Sequence, residues 1–266
     1  METEIVSKKP HRKTALIVLI SIVSVFIIYY SIMATISPTR KLEEIKSEYG
    51  PKPADRNNSN QKILTDSAYL KLLKEKAFLQ SKILMAETDS IYLTLNLADS
   101  TANIEISGVV VHKSKMNSVK ISKILSNGNE NAILTMLSTP FTISNAIATI
   151  KKEPVMIKMA PKDTSEYKPD IMPDTSLTEP VNYILEMKGG IRIYVYQQED
   201  VKLNDRISHF TFDIKDRIRD TWSALKNVAV FKVPEYHPFI KIKLPRTDAK
   251  IIYRAIPKNG QIAVFN

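Results

Sequence analysis

Residues 15–36 read ALIVLISIVSVFIIYYSIMATI. The run carries no charge and no Pro, and Lys13 and Arg40 close it off. As a helix rising about 1.5 Å per residue it is roughly 33 Å long, against a hydrocarbon core of about 30 Å. Its β-branched Ile and Val are no obstacle, because in lipid a helix satisfies its own backbone groups. Tyr29 and Tyr30 fall in its second half, consistent with interfacial aromatic anchors. A cleaved signal peptide is the competing reading, but its apolar region is about 7–15 residues long. In addition, Ala34-Thr35-Ile36 puts a bulky side chain where cleavage wants a small one. The expectation is an uncleaved single-pass anchor over 14–37.

Charge on the flanks orients such an anchor. Lys8, Lys9, Arg12 and Lys13 crowd the amino side of the run. Arg40, Lys41, Lys46, Lys52 and Arg56 follow it, so the wider flanks almost balance. The close-in cluster favours a cytoplasmic tail of residues 1–13 and an exported domain, since long domains translocate largely regardless of charge.

Composition narrows the chemistry. The chain has 266 residues and a net charge of +10. That surplus suits an anionic surface such as lipid headgroups or wall polymers, or equally a solvated face with no specific partner. Export removes nucleic acid from the list. With no cysteine, disulfides, Cys-based zinc sites and a thiolate nucleophile are all excluded. Gly is scarce, and no G-x-G-x-x-G or G-x-x-x-x-G-K-[ST] phosphate loop occurs.

Past the anchor, Ser37-Pro38 is expected to end the spanning helix. Residues 38–61 read as a polar tether, with Gly50-Pro51-Lys52-Pro53 breaking any helix begun by KLEEIKSEY. A juxtamembrane helix follows over 62–86, capped by Asp66 or Ser67. Tyr69, Leu72, Leu73, Lys76, Leu79 and Ile83 recur on one face of it. That face suits packing on the next domain or, alternatively, pairing with a second copy.

Residues 87–266 form a β-rich domain. Residues 92–97 alternate as a half-buried strand does, and Asp99-Ser100 signals a turn. Ile104, Ile106 and Val109 to Val111 suggest a returning strand, with Gly108 at a bulge. Residues 119–125 and 133–137 read as short strands about the turn Ser126-Asn127-Gly128-Asn129. The stretch 161–180, with Pro161, Pro169, Pro173 and Pro180, is either a long surface loop or disordered. The clearest hairpin joins 181–187 to 191–196 through Lys188-Gly189-Gly190. Residues 212–228 read as a helix whose apolar stripe of Ile214, Ile218, Trp222 and Leu225 faces the core, with Trp222 an anchor in it.

Catalytic constellations are scarce. His11, His112, His209 and His237 have no second His at helical spacing, so no H-E-x-x-H zinc site exists. No metal ligand set or cofactor is expected. No G-x-S-x-G elbow occurs. The pairs Glu199-Asp200 and Asp213-Asp216 are surface carboxylates unless a cleft gathers them.

The chain's end carries a resemblance. Residues 242–260, IKLPRTDAKIIYRAIPKNG, are similar to the C-terminal catalytic segment of L,D-transpeptidases. That segment runs S-H-G-C-[IV]-R-[ML], a few polar residues, D-A, a short helix, Pro, a Gly turn and a last strand. Lys243-Leu244 stand for the R-[ML] pair, Asp248-Ala249 cap and start the helix, Pro257 ends it, and residues 262–265 form the closing strand. Ser138-Thr139-Pro140-Phe141-Thr142-Ile143 weakly echo the family's T-P-x-G-x-[FY]-x-I segment. The resemblance implies a peptidoglycan-directed envelope protein held in a bacterial inner (cytoplasmic) membrane, with the bulk of the chain outside. It also implies a lost activity. The family's nucleophilic Cys falls at Lys241, and its His and Gly fall at Phe239 and Ile240. Lys241 lacks thiolate chemistry, and the nearby His237 is off the motif position. The expectation is a non-catalytic α+β protein binding or organising peptidoglycan or an envelope protein. A structural subunit of a membrane assembly and a wall-acting enzyme with a non-cysteine mechanism remain the alternatives.

Overall fold

The structure is a computed structural model that describes residues 11–50, 67–127, 130–152, 179–199 and 202–265. The chain forms two compact units, Met1–Lys41 with Arg217–Tyr236, and Leu42–Asp216 with His237–Asn266. The fold is mixed α+β: one long apolar N-terminal helix and one large sheet with helices around it.

Helix α1 (His11–Tyr49) is long and apolar enough to cross a membrane. Its apolar side chains stand exposed, Leu16, Leu19 and Ile28 among them. Ser21 and Ser31 donate their hydroxyls back to the carbonyls of Ile17 and Ile27, 3.0 and 2.8 Å away. The expected stop at Ser37-Pro38 is not there: Pro38 lies inside the helix, so the tether does not begin at residue 38. Proline removes one hydrogen bond, but the TRKLEEIKSEY that follows is rich in good helix formers, and α1 continues. It ends at Gly50, whose N–H donates to the Lys46 carbonyl (2.9 Å). The remainder of the tether, residues 51–61, lies outside the described residues, as does Asp66.

In the same unit the last turns of α5 (Leu203–Ala229) lead into an irregular segment. The Ser37 hydroxyl donates to the Pro234 carbonyl (2.7 Å), and the Tyr29 and Phe231 rings lie 5.9 Å apart. Trp222, expected in the core, is 59% exposed.

Among the described residues, the second unit is built on nine strands in the order β3-β2-β1-β9-β5-β6-β7-β8-β4. They are β1 (Ile91–Asn96), β2 (Thr101–Ile106), β3 (Val109–Lys115), β4 (Ser118–Ile121), β5 (Phe141–Ala148), β6 (Asn182–Met187), β7 (Arg192–Gln197), β8 (Phe239–Leu244) and β9 (Gln261–Phe265). The pairs β1–β9 and β7–β8 are parallel and the rest antiparallel. Strands β3 and β4 stand at opposite ends of this order, yet only Met116 and Asn117 separate them. So short a link reaches roughly 11 Å, so the sheet curls until its two edges meet. Backbone bonds from Met116 to Ser100 (2.8 Å) and from Asn117 to Lys243 (3.0 Å) close the seam.

Alternation then sorts the side chains. Leu93, Leu95, Ile193, Val195, Ile240, Ile242 and Val264 are all buried on one face of the curl. The hairpin β6–β7 forms as expected, with Gly190 supplying the positive φ of 78°. Gly108 marks no bulge. Ser107 and Gly108 both have positive φ, 48° and 84°, and make the two-residue turn of the β2–β3 hairpin. The bulge lies instead between Ile104 and Glu105.

The expected strand over 133–137 is a helix. Strand β4 is followed by α3 (Lys123–Asn127) and α4 (Glu130–Leu137). A short apolar run does not distinguish the two by period. Here Ala132, Ile133, Met136 and Leu137 are all buried, a helical spacing. Helix α2 (Ser67–Ala86) packs on β9 and α4, but by a different face from the one expected. Ala77, Ser81 and Met85 are buried, while Leu72, Leu79 and Ile83 are exposed. The small side chains let the helix come close to the sheet. The chain's end forms strand, helix and strand as expected: β8, α6 (Arg246–Ala255) and β9. Asp248 sits in the first turn of α6 rather than capping it, and accepts from the Ser114 hydroxyl (2.6 Å). Most of the Pro-rich stretch 161–180 lies outside the described residues.

Candidate functional site

Strand β8 alternates as FIKIKL, with Ile240, Ile242 and Leu244 buried. Phe239, Lys241 and Lys243 therefore stand on the opposite face of the sheet, beside Tyr194 and Tyr196 of β7, whose register pairs Tyr194 with Lys241 and Tyr196 with Lys243. The amino-terminal half of α5 roofs this face. It does so with an unexpected side: Asp205 and Phe212 are buried and His209, Asp213 and Asp216 half-buried, whereas Ile207, Phe210 and Ile218 are exposed. The polar side wins because the two tyrosines need acceptors. The Tyr194 hydroxyl donates to Asp216 (2.9 Å) and the Tyr196 hydroxyl to Asp213 (2.8 Å). Phe212 supplies the apolar contact with Ile184, Tyr194 and Tyr196.

A cleft of about 220 Å³ opens here, lined by Ser118, Lys120, Tyr196, His209, Asp213 and residues 241–243. The Lys241 ammonium lies 4.5 Å from the Tyr194 ring centroid, 5.4 Å from that of Phe239 and 5.7 Å from that of Tyr196. Such ring faces attract an ammonium. Lys120 is the direct cross-strand partner of Lys241 in the β4–β8 pair. Like charges placed opposite one another repel, and with Lys243 they give the cleft a strongly cationic wall. The His209 ring lies against Tyr196 with centroids 4.5 Å apart.

Burial, reinforced by Asp216, raises the pKa of Tyr194 far above its usual value. Burial and the hydrogen bond to Asp213 raise that of Tyr196 further. Both phenols therefore remain protonated donors and do not serve as bases. The α5 roof is fixed at its start by Arg246, whose guanidinium meets the buried Asp205 carboxylate at 2.7 Å. The Arg246 N–H donates to Glu199 (2.8 Å), which also satisfies the first turn of α6.

Of the residues singled out from sequence, Lys241 lies in the cleft and His237 does not line it. The His237 Nδ1 is 3.0 Å from the Gly190 carbonyl, where the ring braces the β6–β7 turn. Among the described residues no group of three or more His, Asp and Glu is placed to hold a metal ion. The Asp213-Asp216 pair, read as surface carboxylates, instead holds the two tyrosines. Sequence reasoning missed Lys120, Tyr194 and Tyr196 as site residues. The one available signal was the run of aromatics at alternate positions in β7. No family model, curated protein or solved structure matches the chain.

Proposed function

We propose that this is a membrane-anchored cell-envelope protein whose sheet domain binds anionic envelope material without catalysis. Peptidoglycan, whose stem peptides carry carboxylates, is the leading ligand. In this reading α1 is an inner-membrane anchor and the sheet domain lies outside the membrane. The observation that carries the proposal is the cationic cleft at Lys241, the position that corresponds to the nucleophilic cysteine in the resembled L,D-transpeptidase segment. A lysine acting as a nucleophile needs a neighbouring base to take its proton. Neither tyrosine can accept the proton, because each already donates its own to an aspartate. The recess gathers Lys120, Lys241 and Lys243 against one lining carboxylate, Asp213, which already accepts from Tyr196, and this excess of positive charge suits recognition of a carboxylate rather than bond cleavage.

The test is cosedimentation of the full chain, in detergent, with purified peptidoglycan. The native protein is expected to pellet, and Lys120→Met/Lys241→Met to bind about 100–10,000-fold more weakly, each of the two charged contacts being worth roughly 1.5–3 kcal/mol. Equal pelleting of the two proteins, or none by the native one, would refute the reading. Release of products from muropeptides by the native protein would refute its non-catalytic part.

A further inference from the structure

In the unit that contains α1, helix α5 ends in a Schellman turn. The Lys232 N–H donates to the Asn227 carbonyl (2.8 Å) and the Phe231 N–H to the Val228 carbonyl (3.0 Å). The left-handed position of that turn ordinarily holds Gly, because a Cβ there crowds the backbone. Here it holds Phe231, with φ 57°. The same side chain is 82% exposed, and its neighbour Val230 is 61% exposed. A bulky aromatic is thus held in an unfavourable backbone conformation and, in water, in an unfavourable solvent.

Its position along α1 points to the missing solvent. The Phe231 ring lies 5.9 Å from that of Tyr29, and the Pro234 carbonyl accepts from Ser37. Both contacts are with the same helix, so the depth of the tip can be read along it. From Ile36, the end of the apolar run, back to Tyr29 is about two turns, roughly 10 Å. Amphipathic elements that lie in a membrane interface bury their apolar side by about 5–10 Å. Lys226 and Lys232 flank the tip, as cations that meet headgroups do, and the Lys226 ammonium lies 5.7 Å from the exposed Trp222 ring.

We infer that Val230 and Phe231 form a second membrane contact, a hydrophobic tip inserted beside Tyr29 into the outer leaflet of the bilayer that α1 crosses. This rests on α1 being a membrane anchor.

The lone tryptophan makes the test direct. In a Trp222→Phe background, Phe231→Trp and Tyr29→Trp each leave one emitter in the full chain. Both proteins are reconstituted into vesicles of phosphatidylcholine and phosphatidylglycerol, with or without bromine on the acyl chains. Each emitter is expected to lose about half of its fluorescence in brominated lipid if it lies at interfacial depth. Quenching at Tyr29→Trp but not at Phe231→Trp overturns the tip and leaves the anchor standing. Quenching at neither overturns both. Should Phe231→Trp fail to fold, Val230→Trp in the same background reads the same depth, with the same two outcomes.

Discussion

Replacing Lys82 by Met tests how α2 is held on the sheet. The Glu105 side chain is fully buried. It accepts from the Thr94 hydroxyl (2.7 Å), from the Tyr92 hydroxyl (3.3 Å) and from the Lys82 ammonium (3.0 Å). Lys82 is the cation of that set and comes from α2. The gross attraction between unit charges 3 Å apart is about 5–6 kcal/mol at an effective dielectric of about 20. Much of it is offset by the desolvation of both groups, but truncating one partner strands the other, at about 3–5 kcal/mol. Two hydroxyl donors remain in the variant, and the Lys82 side chain is 28% exposed, so the low end applies, about 3 kcal/mol. At roughly 2–4 °C per kcal/mol for a domain of this size, Tm falls by about 6–12 °C. Glu105→Gln added to Lys82→Met removes the stranded charge and recovers most of the loss. The assay is thermal unfolding of the full chain in detergent, followed by near-ultraviolet circular dichroism. A loss below about 0.5 kcal/mol, typical of an ordinary surface change, or a double variant no better than the single, would refute the argument.

Further outcomes follow from the same structure. Arg246→Met strands the buried Asp205 and loosens the roof of the cleft. We expect a stability loss of about 3 kcal/mol together with weaker peptidoglycan binding, and unchanged binding would separate the roof from the site. Burial raises the pKa values of Tyr183, Tyr194 and Tyr196. A pKa raised on folding means that the folded state holds the proton more tightly. The associated stability is therefore complete below about pH 10, the unfolded value, and is lost as pH rises above it. Phenolate absorbance should show these three tyrosines titrating only together with unfolding; early titration of all of them would contradict their burial. Gly260→Ala puts a Cβ 2.5 Å from the Ile256 Cγ2 and 3.0 Å from the Pro257 carbonyl oxygen. The crowding should cost about 1–3 kcal/mol, read as a lower denaturation midpoint, and an unchanged midpoint would show that the α6–β9 turn can yield.

Local pattern and tertiary structure divided the work in a way particular residues explain. The apolar run at residues 15–36, the alternation of β1 and the glycine turn of the β6–β7 hairpin were legible because each is a local rule applied to consecutive residues. Pro38 misleads because proline imposes only a local cost, and the helix formers after it outweigh that cost. Residues 133–137 mislead because a short apolar run satisfies strand and helix alike, and only the surface it packs on decides.

The faces of α2 and α5 show the limit most plainly. Sequence periodicity located apolar stripes, and both helices turn other sides to the sheet. Helix α2 does so because Ala77 and Ser81 permit close approach. Helix α5 does so because two buried phenols require acceptors, and Asp213 and Asp216 provide them. The cleft itself was beyond reach, since Lys120 and Lys241 are far apart in sequence and meet only through the β4–β8 register. By itself the sequence determined that the chain carries a helix able to span a bilayer, that no thiolate chemistry is open to it, and that its end runs strand, helix, strand. These depend on composition and near neighbours. The closure of the sheet, the gathering of lysines and tyrosines at one recess, and the placing of Phe231 beside Tyr29 were decided by tertiary structure, because each is a distance between residues that the chain order leaves apart.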